Sequence, residues 1–148
     1  MPRSYHAHGV VTVGANKTAI TLIGTAAIRP KVYEMIIGCP ATPAAQAALW
    51  AFQLLTAGGT GTAFTPMAVD PGDPAALSAI ATNHSVEPTY TANAFLWELP
   101  LNQQATFDWK ANAGKELTLA ASATAGGGLR TLSSTGTAVH DCSMFWDE

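Results

Sequence analysis

Residues Ala57–Pro88 read AGGTGTAFTPMAVDPGDPAALSAIATNHSVEP and separate two flanks rich in Val, Ile, Thr, Trp and Phe. Pro66, Pro71 and Pro74 each fix φ and remove a backbone donor, and Asp70-Pro71-Gly72-Asp73-Pro74 offers successive turn positions. The segment therefore reads as one long irregular connection, 57–88, through which no sheet ladder runs. Asp73 is placed to cap a single helical turn over Pro74-Ala75-Ala76-Leu77. The prolines lower the entropy lost on ordering, and Phe64, Met67, Val69 and Leu77 supply apolar anchors. The connection is thus expected to be ordered, lying over its own domain or across a neighbour.

Working outward, the flanks carry the two-residue period of strands. Ser4–Val13 and Thr18–Thr25 surround the polar Gly14-Ala15-Asn16-Lys17, a hairpin signal. Lys31–Cys39 (KVYEMIIGC) sets Tyr33, Met35 and Ile37 on one face and Val32, Glu34 and Ile36 on the other. Ala41–Thr56 is ambiguous: Thr42-Pro43-Ala44-Ala45-Gln46 resembles a helix start, yet Ala48, Trp50, Phe52 and Leu54 alternate with Leu49, Ala51, Gln53 and Leu55. A strand over Leu49–Thr56, buried on both faces, is the reading adopted. Beyond the connection, Thr89–Leu99 is a strand ended by Pro100, Ala105–Lys110 alternates cleanly, and Glu116–Ala121 is short. Gly126-Gly127-Gly128 reads as a flexible loop, and Ser134–Trp146 as the last strand. About eight strands with regular turns predict an all-β fold, an antiparallel β-sandwich or jelly roll, in a single domain over 1–148.

Composition narrows the function. The chain is 48% hydrophobic and 11% charged, against roughly 25% charged residues in an ordinary soluble domain. So neutral a surface predicts that part of it is covered by partner protein. The seven basic residues are scattered and the net charge is −3, which excludes the clustered cationic footprint of direct nucleic-acid binding. No apolar leader and no apolar run of membrane length occur, so a soluble chain made in the cytosol is expected. Cys39 and Cys142 have no metal-ligand or redox spacing and read as buried reduced thiols, with a disulfide as the alternative.

No catalytic, cofactor or metal motif emerges. His6 and His8 project from one face of a strand and need a third ligand to hold a metal. In His140-Asp141-Cys142 the Asp points away from the other two, so no triad forms on a strand. Asp70 and Asp73 are turn formers before they are Ca²⁺ ligands. Trp50, Trp97, Trp109 and Trp146 occupy alternating strand positions and read as packing residues. A sugar-stacking platform is their alternative role.

With those elements in place, the order of a Trp-Ala-Phe-Gln-Leu strand, AGGTGTA, TPMAVDPGDPAA and NHSVEPTYTANAFLWEL resembles head decoration, or cement, proteins of tailed bacteriophages. The sharpest part is Thr65, Pro66, Asp70, Pro71, Asp73, Pro74, Ala75 and Ala76. The resemblance implies a β-sandwich or jelly-roll subunit, often trimeric, without enzymatic activity. It would bind the major capsid protein on the virion exterior after synthesis in the host cytoplasm. Candidate capsid or subunit contacts are Pro2, Arg3, Ser4 and Tyr5 with Phe64, Met67, Val69, Asp70 and Leu77 of the connection. A carbohydrate-binding jelly-roll module of a phage fibre or surface protein and a cupin-type metal enzyme are the other readings.

Overall fold

A computed structural model describes residues 2–136 and 138–148. Thr137, inside the last expected strand, lies outside the described residues. Among those described there are twelve strands and no helix. The first six are β1 (Ser4–Thr12), β2 (Lys17–Ile23), β3 (Lys31–Gly38), β4 (Ala47–Ala57), β5 (Thr60–Phe64) and β6 (Met67–Ala68). The others are β7 (Ala79–Val86), β8 (Thr89–Asn102), β9 (Phe107–Lys110), β10 (Leu117–Thr118), β11 (Gly126–Ser134) and β12 (Val139–Asp147). All pairings are antiparallel. One sheet runs β10-β3-β12-β1-β6, with β9 also on β3, and the other runs β5-β7-β2-β11-β4-β8. The all-β antiparallel sandwich expected from the alternation is the fold, and the ambiguous 49–56 segment is strand.

The layers meet where alternation places apolar side chains. Tyr5, Ala7 and Val11 of β1, Met35 and Ile37 of β3, and Cys142, Met144 and Trp146 of β12 face Ile20, Leu22, Trp50, Phe52 and Leu129 of the opposite sheet. In β3 the inward set is Val32, Met35 and Ile37, which a plain two-residue period cannot produce. A bulge resolves it: Trp146 pairs with Val32 and Phe145 with Glu34, so Tyr33 is extra and the faces exchange there. Along one open side of the sandwich, Trp97 of β8 meets Phe107 of β9 edge-on at 5.8 Å, bridging the two sheets.

Several expectations are corrected. The segment 57–88 is not irregular throughout, because it contributes β5, β6 and β7, which together with β11 raise the expected eight or so strands to twelve. Its prolines fall between strands: Pro66 separates β5 from β6, and Pro88 separates β7 from β8. The one long irregular stretch is 69–78, and it holds a turn rather than a helical turn. There Asp70 accepts from the Gly72 N–H at 2.9 Å and the Asp73 N–H bonds the Asp70 carbonyl at 3.0 Å. The signal at Gly14–Lys17 is not a hairpin but a crossing between sheets, with Asn16 at φ 57°. Because β2 is buried continuously from Thr18 to Leu22, it needs cover on both faces, and β1 supplies one by lying over it. At Gly9 the approach is so close that a Cβ would stand 2.6 Å from the Ala19 carbonyl oxygen.

Two further corrections concern breakers. Pro100 does not end its strand, since β8 is an edge strand where a missing donor is tolerated. The triple glycine is no loop but the buried start of the central strand β11. Added side chains would collide with neighbours, with a Cβ at Gly127 falling 2.5 Å from the Phe52 ring.

Candidate assembly surface

The strap that follows β5 is the irregular remnant of the long connection, and the chain holds it down through its own termini. β6 pairs with β1 at Tyr5↔Ala68 and His6↔Met67, and the Val69 N–H bonds the Ser4 carbonyl at 2.8 Å. The Tyr5 hydroxyl, buried under the strap, donates to the Pro74 carbonyl at 3.0 Å. Arg3 stands 3.8 Å from Asp73. At the far end the Glu148 carboxylate accepts from the Leu77 and Ser78 N–H groups, both at 2.9 Å, and from the Trp146 indole at 3.3 Å. Burial raises the Glu148 pKa, but these donors outweigh it and hold the carboxyl below its ordinary value. The strap is therefore ordered over its own sandwich.

The candidate contact residues divide on burial. Tyr5 is 1% exposed, so it fastens the strap instead of presenting a contact. Phe64 is half-buried against the core and meets the His8 ring edge-on at 6.0 Å. Pro2, Arg3 and Asp70 are exposed, and Ser4 is half-buried with its hydroxyl donating to Asp147 at 2.6 Å. Met67, Val69 and Leu77 are 70%, 55% and 63% exposed, unusually open for such side chains. Ala68 between the first two turns inward against the core, so Met67 and Val69 point outward together.

Met67 continues into the outer face of the first sheet, which no segment of the described chain covers. The register runs Met67, His6, Phe145, Glu34, Lys110 across five strands, and the next row runs His8, Ser143, Ile36, Asp108. His6 stacks on Phe145 with ring centres 4.5 Å apart, and Tyr33 lies 6.2 Å from the same ring. Charges on this face lean acidic: Lys110 is 2.9 Å from Asp108 and 3.3 Å from Glu34, one cation for two carboxylates, and Asp141 is 3.4 Å from His8. The result is a broad platform with an aromatic centre, an acidic excess and an apolar margin.

The centre of the outer face of the second sheet is closed by a polar cluster. Arg130, 8% exposed, lies 4.1 Å over the Tyr90 ring and donates to Gln53 at 3.2 Å and to Asn16, with no carboxylate partner among the described residues. Tyr90 shares a bond with Thr18 at 2.8 Å, and burial pushes its hydroxyl up to about 12 against the lowering effects of that bond and the Arg130 charge. The cation–π contact stands in for a counter-ion. Sequence reading missed this cluster, because nothing in Asn16, Gln53, Tyr90 and Arg130 marks them as neighbours before the strands are paired.

The remaining candidates do not converge. Among the described residues no group of three or more His, Cys, Asp and Glu side chains is placed to hold a metal ion. His140 and Cys142 point into the core while Asp141 turns out to His8. Both cysteines are free thiols. Cys142 is buried and its pKa is pushed well up by burial, whereas Cys39 is half-exposed, correcting the expectation that both are buried. Trp50 and Trp146 are fully buried and Trp97 and Trp109 pack against the core, so no tryptophan platform forms. Among the described residues no helix is long and apolar enough to cross a membrane.

No family model, curated protein or solved structure matches the chain.

Proposed function

We propose that the chain is a structural virion protein, without enzymatic activity, that binds the exterior of a tailed-phage capsid as a homotrimer and stabilises it. The observation that carries this reading is the fastened strap. Eight residues from Thr65 to Ala76 are the sharpest part of the resemblance to decoration proteins, and the strap that contains them is bonded at Val69 and at Leu77 while holding Met67, Val69 and Leu77 open. A side chain kept exposed on an ordered backbone loses little entropy when a partner covers it. The aromatic centre of the outer face beside it, His6 on Phe145 with Tyr33 near, supports the same reading, since aromatic side chains are enriched where partners are buried. Binding only the assembled shell would favour that shell over its disrupted states by the difference in affinity.

The test is reconstitution on capsids stripped of the protein. Wild-type chain is expected to co-sediment in fixed ratio to the major capsid protein and to raise the temperature of shell disruption. The double substitution Met67→Lys, Leu77→Lys is expected to keep the melting temperature of the free protein and to lose binding. Shells equally heat-resistant with and without bound protein would refute the proposal.

A further inference from the structure

A cavity of about 530 Å³ opens along β1, between His8–Thr12 on one side and Thr82, Asn83 and His84 of β7 with Lys17, Thr18 and Glu87 on the other. Its position is explained by the ladder. Odd residues of β1 bond to β12, as the pairs Arg3–Glu148 and Val13–Ala138 at either end require. Even residues therefore point their N–H and C=O away from β12. Ser4 and His6 find β6 and the strap there. Beyond Met67 the lane is empty, and among the described residues the N–H and C=O groups of His8, Val10 and Thr12 have no ladder partner.

The other edges carry devices that discourage added strands. β8 contains Pro100 and is broken by register shifts, with Asn93 at φ 57°. β5 is five residues long with a shift between Thr60 and Thr62, β9 and β10 are four and two residues long, and β6 is two. The β1 edge reads His-Gly-Val-Val-Thr, without proline, bulge or Lys.

We propose that this lane is a binding site for one extended polypeptide segment of a partner protein, which adds a strand to β1 in line with β6. Three features define the occupant. Alternating donors and acceptors on His8, Val10 and Thr12 complement the backbone dipoles of an extended chain over about 14 Å at about 3.4 Å per residue. β7 lies across the lane, with a Thr82 methyl within reach of a Cβ on Gly9, so the gap admits a single strand and not a second sheet pair. The inward wall of Gly9, Val11, Thr18 and Thr82 calls for small side chains at every second residue of that strand. This site adjoins the strap surface at His8 and Phe64, but it needs only the β1 edge and stands or falls independently of capsid binding.

The probe is a synthetic, end-blocked nonapeptide alternating Val and Thr, titrated to about 1 mM into the full chain while amide exchange is followed by NMR. Binding is expected to slow exchange at His8, Val10 and Thr12 at least tenfold, leaving the already bonded Gly9 and Val11 amides unchanged. Val10→Pro removes an N–H that has no ladder partner among the described residues, so it is expected to fold normally and to lose that protection. The same peptide N-methylated at every second residue should not bind. No slowing at the three even amides, or equal slowing in the Val10→Pro variant, overturns the proposal. Protection that appears without peptide as concentration and mass rise together would assign the lane to a second copy of the chain instead, and would also overturn it.

Discussion

Glu148→Ala removes one carboxylate and strands three donors. The Leu77 N–H lies in an exposed residue and water replaces its partner, so it contributes little. The Ser78 N–H and the Trp146 indole belong to residues 4% and 0% exposed, and each loses an acceptor where water does not readily follow. A buried donor left unsatisfied costs about 1–3 kcal/mol, which puts the substitution at about 4 kcal/mol. Against a total stability of about 5–15 kcal/mol that is a large share. It corresponds to a melting temperature lower by about 12 °C for a domain of this size. Urea unfolding at pH 7 measures the loss, and limited proteolysis reads whether cleavage within 69–78 accelerates before the rest of the chain unfolds. The sign with pH follows from the depressed carboxyl. Its contribution is complete above the ordinary value of 4.5 and is lost as pH falls through the lower folded value, so the variant should lack that part of the acid dependence. A loss below about 1 kcal/mol, with the strap as resistant to protease as in the wild type, would show that the clasp does not hold the segment down.

Gly127→Ala is expected to destabilise the fold by about 2 kcal/mol or more, since the new methyl meets the Phe52 ring inside a packed sheet; urea midpoints decide it, and an unchanged midpoint refutes the close approach. His6, His84 and His140 all have pKa values lowered from 6.5, in each case chiefly by burial. The fold therefore favours their neutral forms. Stability is full above about pH 6.5 and declines as pH falls from there toward the lowered folded values. Unfolding midpoints measured from pH 7.5 to 5 should fall, and the slope should lessen in His140→Leu; a flat profile refutes the assignment.

Much of the sandwich was legible because alternation survives in the strands that form its centre. Trp50 and Phe52 face the core as their spacing requires, even though Ala-Ala-Leu-Trp-Ala-Phe-Gln-Leu-Leu is rich in helix formers, because neighbouring strands supply cover on both faces. What misled was punctuation. Gly126-Gly127-Gly128 looks like a loop until Phe52, Leu119 and Tyr90 are brought against it, and the prolines of 57–88 stop ladders only at their own positions. Sheet membership was the least legible property. A four-residue connection such as 13–16 serves a hairpin or a crossing equally, and the choice is made by the distant partners β12 and β11. Of the candidate surface, the apolar residues of the strap were visible in the sequence, while the role of Tyr5 as its fastening and of Glu148 as its clasp required the fold.

The adjacency of Arg3 and Glu148, which exchange N–H···O bonds at 3.1 and 2.9 Å, has a mechanical consequence. Both ends of the β1–β12 pair lie at the same edge of the sheet, and the two strands run antiparallel from there. Tension applied between those residues loads the ladder bonds one pair at a time, as a zipper opens, whereas tension along the strands from opposite ends would load them together in shear. The first pairs to open would be those beside the strap. The molecule is thus compliant to a pull between Arg3 and Glu148 and stiff to stretching along the strands of the platform.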